Sequence, residues 1–109
     1  MAEKTIKVLL KNPRQDALVI EVKNDYGVCR DLIGGGWLET VWIEKGVVMI
    51  CDEEGKLKGL TPNFVLPKLR DIICGPVFFC SANAEGDFTS LNEEQLAFVK
   101  KLVEENELI

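Results

Sequence analysis

The sequence predicts an α+β fold: a mostly antiparallel sheet of five or six strands, with a short helix and a C-terminal helix packed on one face. Three observations predict this fold. Apolar and polar residues alternate in two short segments near the start of the chain. An apolar run at residues 47–51 suits a central strand that is covered on both faces. Residues 92–103 repeat apolar side chains at helical spacing.

The first two strands are predicted at residues 5–11 and 17–23. In the second of them, apolar Leu18, Ile20 and Val22 occupy alternate positions. Residues 12–16 lie between the two strands and contain a proline, which is typical of a turn. Because this connection is short, we expect the two strands to form a hairpin.

A short helix is predicted next, beginning after Asn24 or Asp25 and ending at about Ile33. Gly34 then suits the left-handed position that follows many helices. The three consecutive glycines at residues 34–36 are therefore explained by a helix end and a tight entry into the next strand. The alternative is an anion-binding nest of backbone amides. That alternative lacks the Lys-Ser/Thr pair that follows the last glycine of a P-loop.

Two further strands are predicted at residues 37–44 and 47–51, joined by a turn at Lys45 and Gly46. Trp37 and Trp42 are five residues apart, so on one strand they would point to opposite faces. We expect one of them in the core and the other against a ligand or, as we favour, in a subunit interface. The acidic residues after the second strand predict a hairpin turn at residues 52–56, with Gly55 available for a positive φ.

The middle of the chain is the least regular part. Residues 57–60 predict a short strand. Residues 61–67 predict a loop, because two prolines five residues apart exclude a regular helix. Residues 68–73 do not distinguish between helix and strand. The segments that follow are predicted as an apolar strand and a polar loop, at residues 75–80 and 81–90.

The C-terminal helix has the clearest pattern. Asn92 can cap it, and Gln95 stands three residues later, where it completes a capping box. One side of this helix is apolar and is expected to pack on the sheet or on a partner subunit. That side consists of Leu96, Val99, Leu102 and Val103.

The length of 109 residues predicts a single domain over residues 1–109. Its net charge is −5. Residues 81–109 alone carry seven acids and two bases. The bases elsewhere are scattered among acids, so general nucleic-acid binding is disfavoured. No apolar run is long enough to span a membrane, and no apolar segment typical of a signal peptide opens the chain. We therefore expect a cytoplasmic protein without membrane contact.

The sequence contains no histidine and four cysteines. Histidine-dependent nucleophilic catalysis and histidine metal sites are impossible without that residue. The cysteines lack the paired spacing of a zinc site, and three of them lie in apolar runs, which favours buried packing. We expect no catalytic residue, no metal and no cofactor, although carboxylates and lysines leave some acid–base chemistry open.

If the protein binds a ligand, the predicted site residues are Trp37, Glu39, Asp52, Asn63 and Arg70. Trp37 and Glu39 are two residues apart and would share one face of a strand. Asp52 begins the acidic turn, and the later loop could bring Asn63 beside the other residues. Arg70 is the predicted cation for an anionic ligand.

Several short motifs together resemble a family of small domains of unknown function, found in bacteriophages, plasmids and bacterial genomes. The resemblance covers most of the chain, and it implies a phage or mobile-element origin without naming a reaction. Members often carry asparagine where this chain has Asp52. The matching pieces are Ile33-Gly34-Gly35 with Glu39 and Val41, residues 51–57 with Gly59, Leu60, Pro62 and Asn63, residues 71–73 with Gly75, and residues 86–88 with Leu91, Glu94 and Gln95.

Two functions are the main alternatives, and a hydrolase or nuclease that uses Asp52, Glu53 and Asp71 with a metal is a disfavoured third. The first is a non-enzymatic binding protein that sequesters a small nucleotide-like host defence signal and forms a homo-oligomer in the bacterial host cytoplasm. The second is a protein–protein adaptor, or an inhibitor of a host protein, whose acidic C-terminal region presents a negative surface to a basic partner. The absence of histidine and the small size agree with both.

Overall fold

The computed structural model describes residues 4–108, so residues 1–3 and residue 109 of the predicted single domain lie outside the described residues. Within residues 4–108 the chain forms eight strands and two helices. In chain order they are β1 (Thr5–Lys11), β2 (Leu18–Lys23), α1 (Tyr26–Leu32), β3 (Leu38–Trp42), β4 (Val47–Asp52), β5 (Pro62–Leu66), β6 (Asp71–Cys74), β7 (Val77–Ala82), β8 (Phe88–Thr89) and α2 (Glu93–Glu105).

The main sheet is antiparallel and has the strand order β2-β1-β7-β4-β3, with the short strand β8 beside β7. The predicted antiparallel sheet of five or six strands is therefore confirmed. Strands β5 and β6 form a separate antiparallel pair. Residues 106–108, which follow α2, extend this pair: Val65 N donates to Asn106 O, and Leu108 N donates to Asn63 O.

The main sheet is covered on both faces, and β4 is buried along its whole length. Met49 and Phe79 face α2 and the β5–β6 pair, together with Val99 of α2. Val48 and Phe78 face the opposite side, where α1 covers them. The alternation of side chains along each strand thus produces two apolar clusters from one sheet. The apolar run that predicted a central strand is explained by this double burial.

Helix α2 begins with the predicted capping box. Asn92 Oδ1 accepts a hydrogen bond from Gln95 N at 2.8 Å, and Gln95 Oε1 accepts one from Asn92 N at 2.9 Å. Val99 and Val103 are fully buried against the sheet. Gln95 is also buried, and its Nε2 donates to Lys45 O at 2.8 Å. The C-terminal helix therefore packs on one face of the sheet, as predicted.

Both termini of helix α1 agree with the prediction from the sequence. Asp25 caps its first turn by accepting a hydrogen bond from Val28 N at 3.0 Å. After the helix, Gly34 and Gly35 adopt φ angles of 91° and 94°. Their amides donate to the carbonyl oxygens of the last turn, which is the usual use of left-handed glycines at a helix end.

The segment between β4 and β6 differs from the prediction. Residues 57–59 form turns and residue 60 is irregular, so the strand predicted at residues 57–60 does not form, whereas residues 62–66, predicted as a loop, form strand β5. Pro62 is the first residue of that strand, a position where the missing amide of proline is tolerated. Strands β4 and β5 are not paired, so residues 52–56 do not form a hairpin turn.

Two other strands begin or end at residues that differ from the prediction. The structure also assigns part of the segment that the sequence left undecided between helix and strand. The strand predicted at residues 37–44 is limited to β3, and the one predicted at residues 75–80 is displaced to β7. The end of the segment at residues 68–73, which sequence left open, enters strand β6. Lys45 and Gly46 form the predicted turn, with φ angles of 58° and 78°.

Candidate functional site

The candidate site is a depression of about 150 Å³ between the edge of the main sheet and the β5–β6 pair. Its floor is apolar and consists of buried Met49, Cys51 and Ile73. Val41 and Glu39 of the neighbouring strand β3 stand opposite Met49 and Cys51 in the register of the sheet. Cross-strand partners share one face, so the hairpin of β3 and β4 brings these side chains to the same wall.

The rim of the depression consists of the loop at residues 53–57 and the residues around β6. Three large apolar side chains are exposed there: Leu57 at 85%, Leu69 at 49% and Ile72 at 42%. Charged side chains alternate with them. The carboxylate of Asp71 accepts a hydrogen bond from the ammonium group of Lys56, and this bond lowers the pKa of Asp71. Five acidic residues and one basic residue line the depression in total.

Gly55 allows the loop at residues 53–57 to pack closely against strand β6, because glycine has no side chain. A Cβ at this position would lie 2.7 Å from Cys74 O, closer than carbon and oxygen tolerate. The residue was expected to provide a positive φ, but it is not among the residues that adopt one. Its contribution is close approach of two backbones.

The cysteine in the floor is held in its neutral form. The Cys51 sulfur lies 3.6 Å from Glu39 Oε1, to which the thiol donates. Burial raises the pKa of the Cys51 thiol, and the neighbouring carboxylates of Glu39 and Asp52 raise it further, to about 12. Because the thiolate is the nucleophilic form, Cys51 is not an activated nucleophile at neutral pH.

Asp52 follows Cys51 in the chain, and its carboxylate is hydrogen-bonded to the loop that begins at residue 53. Its side chain is 3% exposed, and its Oδ2 accepts a hydrogen bond from Lys58 Nζ at 2.8 Å. Its Oδ1 accepts one from Glu54 N at 2.9 Å. Burial raises the pKa of Asp52, but these two hydrogen bonds and the charge of Lys58 outweigh burial, so the pKa lies below its ordinary value. The carboxylate therefore shapes the loop.

Trp37 lies just before β3, so it does not share a strand face with Glu39 as predicted. It is 58% exposed, and the guanidinium of Arg30 lies 5.2 Å from the centre of its ring. Arg30 Nε also donates to Gly35 O at 2.9 Å. Trp42 is 51% exposed as well, so the prediction that one tryptophan is a core residue is wrong. Neither ring is needed to fill the core.

Asn63 is fully buried beside Lys11 and Gly75, and it does not line the depression. Its Nδ2 donates to Lys11 O and to Gly75 O, both at 2.9 Å. Its Oδ1 accepts a hydrogen bond from Lys11 Nζ at 3.1 Å. All the polar atoms of this side chain are thus used inside the protein.

Arg70 is exposed and adopts a φ of 51°, while its neighbours Leu69 and Asp71 line the depression. Of the five predicted site residues, the structure brings only Glu39 and Asp52 together there. Whether any of the five binds a ligand stays a prediction.

The rim is not apparent from the sequence, because Lys56 falls in the predicted polar turn and Leu57 falls in the predicted strand at residues 57–60, which does not form. One signal pointed to the rim: Leu57 stands between two lysines, where no apolar pattern gives it a partner in the core. Leu69 and Ile72 carried no comparable signal, because their exposure depends on how β6 packs.

Two further features bear on function. No three histidine, cysteine, aspartate or glutamate residues within residues 4–108 are grouped so that they could hold a metal ion. In the same part of the chain, no helix has both the length and the apolar character that crossing a membrane requires. The predicted cytoplasmic location stays a prediction.

Comparison with known proteins gives one result. A family model described as "Domain of unknown function (DUF3846)" matches residues 6–104. No curated protein and no solved structure matches the chain. The match agrees with the resemblance to a family of unknown function.

Proposed function

The chain belongs to this family of unknown function, and we propose that it is a non-enzymatic binding protein that holds a short segment of another protein in the depression beside β6. This is the adaptor or inhibitor function that the sequence left open, but we propose it at the depression and not at the acidic C-terminal region. The observation that carries the proposal is the exposed apolar rim: Leu57, Leu69 and Ile72 surround an apolar floor. Exposed large apolar side chains around a recess are typical of protein-binding surfaces.

The size of the depression supports a side chain as its occupant. It encloses about 150 Å³, whereas sites for cofactors and drug-sized ligands enclose roughly 300–1,000 Å³. A single apolar side chain of the partner would contact Met49 and Ile73 in the floor, and the flanking residues of the partner would cross the rim. We expect such a buried anchor to contribute most of the binding energy.

The charge of the rim supports a basic partner. Glu39, Glu53 and Glu54 are exposed at the edge of the depression, and the single lysine there is already paired with Asp71. A lysine or arginine beside the anchor would therefore gain favourable interactions. The same charge opposes a phosphate-bearing ligand in this depression.

The chemistry of the floor supports binding without catalysis. The protein has no histidine, and the Cys51 thiol is held neutral by burial and by Glu39. The Asp52 carboxylate is engaged by Lys58 and by the amide of Glu54. The depression therefore presents apolar contacts and fixed negative charge to a partner.

Peptide display against the immobilised protein tests the proposal. We expect enrichment of peptides that place one apolar residue next to lysine or arginine, with binding that weakens as salt is raised. Leu57→Ser should abolish enrichment without loss of stability, because Leu57 is 85% exposed. The control is Tyr26→Ser, at a large side chain that is 55% exposed on helix α1, away from the depression. Equal enrichment of acidic peptides, or enrichment that survives Leu57→Ser, would overturn the proposal.

A second candidate, the nucleotide-like ligand, is favoured by one observation away from the depression. The exposed ring of Trp37 lies beside the Arg30 guanidinium, a combination that suits a base with a phosphate group. Calorimetric titration with cyclic dinucleotides and ADP-ribose derivatives tests it. Heat that disappears in Trp37→Ala would support it, and the absence of heat with every compound would exclude it.

A further inference from the structure

The main sheet has two edge strands, β2 and β3. The hydrogen bonds between β1 and β2 show which backbone groups of β2 point away from β1. Asn24 N donates to Lys4 O at 2.8 Å, one position beyond the pair Thr5–Lys23. In an antiparallel ladder the hydrogen-bonded pairs alternate. Hence Ile20 and Val22 exchange hydrogen bonds with β1, and the amide and carbonyl groups of the odd-numbered residues point away from the sheet. Those residues are Val19, Glu21 and Lys23.

The other edge is partly blocked. Ile43 N donates to Val47 O at 2.9 Å, and Glu53 N donates to Trp37 O at 3.0 Å, so the even-numbered residues of β3 point outward. The ammonium group of Lys68 donates to Trp42 O on this edge. A lysine placed on an edge strand discourages pairing with another chain. On β2, Lys23 O accepts a hydrogen bond from Asp25 N at 3.0 Å, at the end of the strand. No lysine side chain among residues 4–108 donates to the outward carbonyls of Val19 and Glu21, so β2 is the more open edge.

The side chains of β2 are more apolar than an exposed edge requires. Leu18 and Val19 are 51% and 53% exposed. Leu18, Ile20 and Val22 stand at alternate positions and so share one face of the strand, next to the apolar cluster under α1. An open edge with an apolar face is a surface on which a further strand can pair.

We propose that a second copy of this chain pairs with β2 in antiparallel orientation, with the two-fold axis at Ile20. In this register Ile20 faces Ile20 of the second copy, and Leu18 faces Val22 of the second copy. The apolar face of the strand then continues across the axis. On the opposite face Val19 stands beside Glu21 of the second copy. The outward amides and carbonyls of Val19 and Glu21 form about four hydrogen bonds across the axis.

Self-complementarity selects a second copy as the partner. A two-fold axis at Ile20 places apolar residues opposite apolar residues throughout the shared face. Moving the axis by one residue, to Glu21, would place two glutamates of like charge directly opposite each other and would set Leu18 against Asn24. Moving the axis the other way, to Val19, would keep only residues 18–20 of β2 within the paired stretch, whereas the axis at Ile20 pairs residues 18–22. Of these three registers, the axis at Ile20 is therefore favoured.

Sedimentation equilibrium over a range of concentrations tests the interface. We expect a dimer whose dissociation constant rises by about 100-fold in Val19→Pro, because proline removes an outward amide from both copies. The matched control is Thr40→Pro, which removes an outward amide from the other edge and should leave the dimer intact. A wild-type protein that stays monomeric, an unchanged dimer in Val19→Pro, or a dimer lost in Thr40→Pro would each overturn the proposal.

Cysteine cross-linking tests the register and does not depend on the proline variants folding. Ile20→Cys places two thiols across the axis at a separation that a disulfide can bridge, so mild oxidation should link the two chains. The matched control on the same strand is Val19→Cys, which faces Glu21 of the second copy and should link far less. Equal linking by the two variants, or no linking by Ile20→Cys, would contradict the register.

Discussion

Gly36 and the carboxylate of Asp52 occupy one space: a Cβ on Gly36 would overlap the Asp52 oxygen atoms. The same carboxylate accepts hydrogen bonds from Lys58 Nζ and Glu54 N. The third glycine of the run is thus required by a neighbour that is distant in sequence and that shapes the acidic loop. Gly36 belongs to the glycine run that suggested a phosphate-binding nest, but it instead leaves the space that the buried Asp52 carboxylate occupies.

Gly36→Ala should lower the free energy of unfolding by about 1–3 kcal/mol, because the new methyl group displaces the Asp52 carboxylate. Urea denaturation measures this loss. The control is the double variant Gly36→Ala with Asp52→Ala, in which the space is free again. We expect its loss to be smaller than the sum of the two single losses by at least about 0.5 kcal/mol. Additive losses would show that the two residues do not compete for space.

The pH dependence of stability should change in Asp52→Asn. The folded-state pKa of Asp52 lies below its ordinary value of 3.8. The stability from its ionised form is therefore complete above that value and is lost as the pH falls through the lowered pKa. Asparagine cannot ionise, so the variant should be less stable at pH 7, by on the order of 1 kcal/mol, and should lose less on acidification.

Unfolding free energies at pH 7 and pH 3 measure this difference. The control is Asp31→Asn, which removes a charge from an exposed position at the end of α1. It should change the free energy of unfolding at pH 7 by less than about 0.5 kcal/mol. An acid sensitivity in Asp52→Asn equal to that of the wild type would contradict the prediction.

Glu107 should be needed to hold the end of the chain on β5. Lys11 is 1% exposed, and its ammonium group lies 2.8 Å from Glu107 Oε1. Within residues 4–108, Glu107→Ala leaves this charge buried with Asn12 O and Asn63 Oδ1 as its remaining partners. We expect a loss of about 1–3 kcal/mol in the free energy of unfolding, because the buried Lys11 charge loses its ionic partner. Loss of a partner from a fully buried pair would cost more, but Glu107 is itself partly exposed.

The matched test combines Glu107→Ala with Lys11→Met, which removes the buried charge but keeps most of the side-chain volume. The same urea measurement should show that Glu107→Ala destabilises the Lys11→Met background less than it destabilises the wild type. An equal loss in both backgrounds would mean that Glu107 acts independently of Lys11.

Alkylation should distinguish the cysteines. With a pKa of about 12, Cys51 is only about one part in a thousand thiolate at pH 9. Burial also raises the pKa of Cys80 to about 12. Iodoacetamide should therefore modify the half-buried Cys74 first, as peptide mass spectrometry would show. Glu39→Gln should accelerate the modification of Cys51, because the carboxylate that disfavours its thiolate is gone. Cys51 as the fastest site in the wild type would refute this assignment.

Features that depend on neighbours along the chain could be predicted. The Asn92–Gln95 capping box, the Asp25 cap and the left-handed Gly34 all satisfy backbone groups within a few residues. Strand β5 could not be predicted, because its prolines indicate a loop and its partners are β6 and residues 106–108. The exposure of both tryptophans also escaped prediction, because Trp37 lies before β3 and Trp42 lies on β3, which is an edge strand.

The sequence by itself determined the α+β class, the β1–β2 and β3–β4 hairpins and the C-terminal helix, because strand alternation, capping and turn chemistry are local. Only the tertiary structure decided the roles of the candidate residues. It placed Asn63 in a buried hydrogen-bond network and Asp52 beneath the acidic loop, and it exposed Leu57 at the rim. The physical reason is that burial and charge pairing depend on residues far apart in the chain, which no local pattern contains.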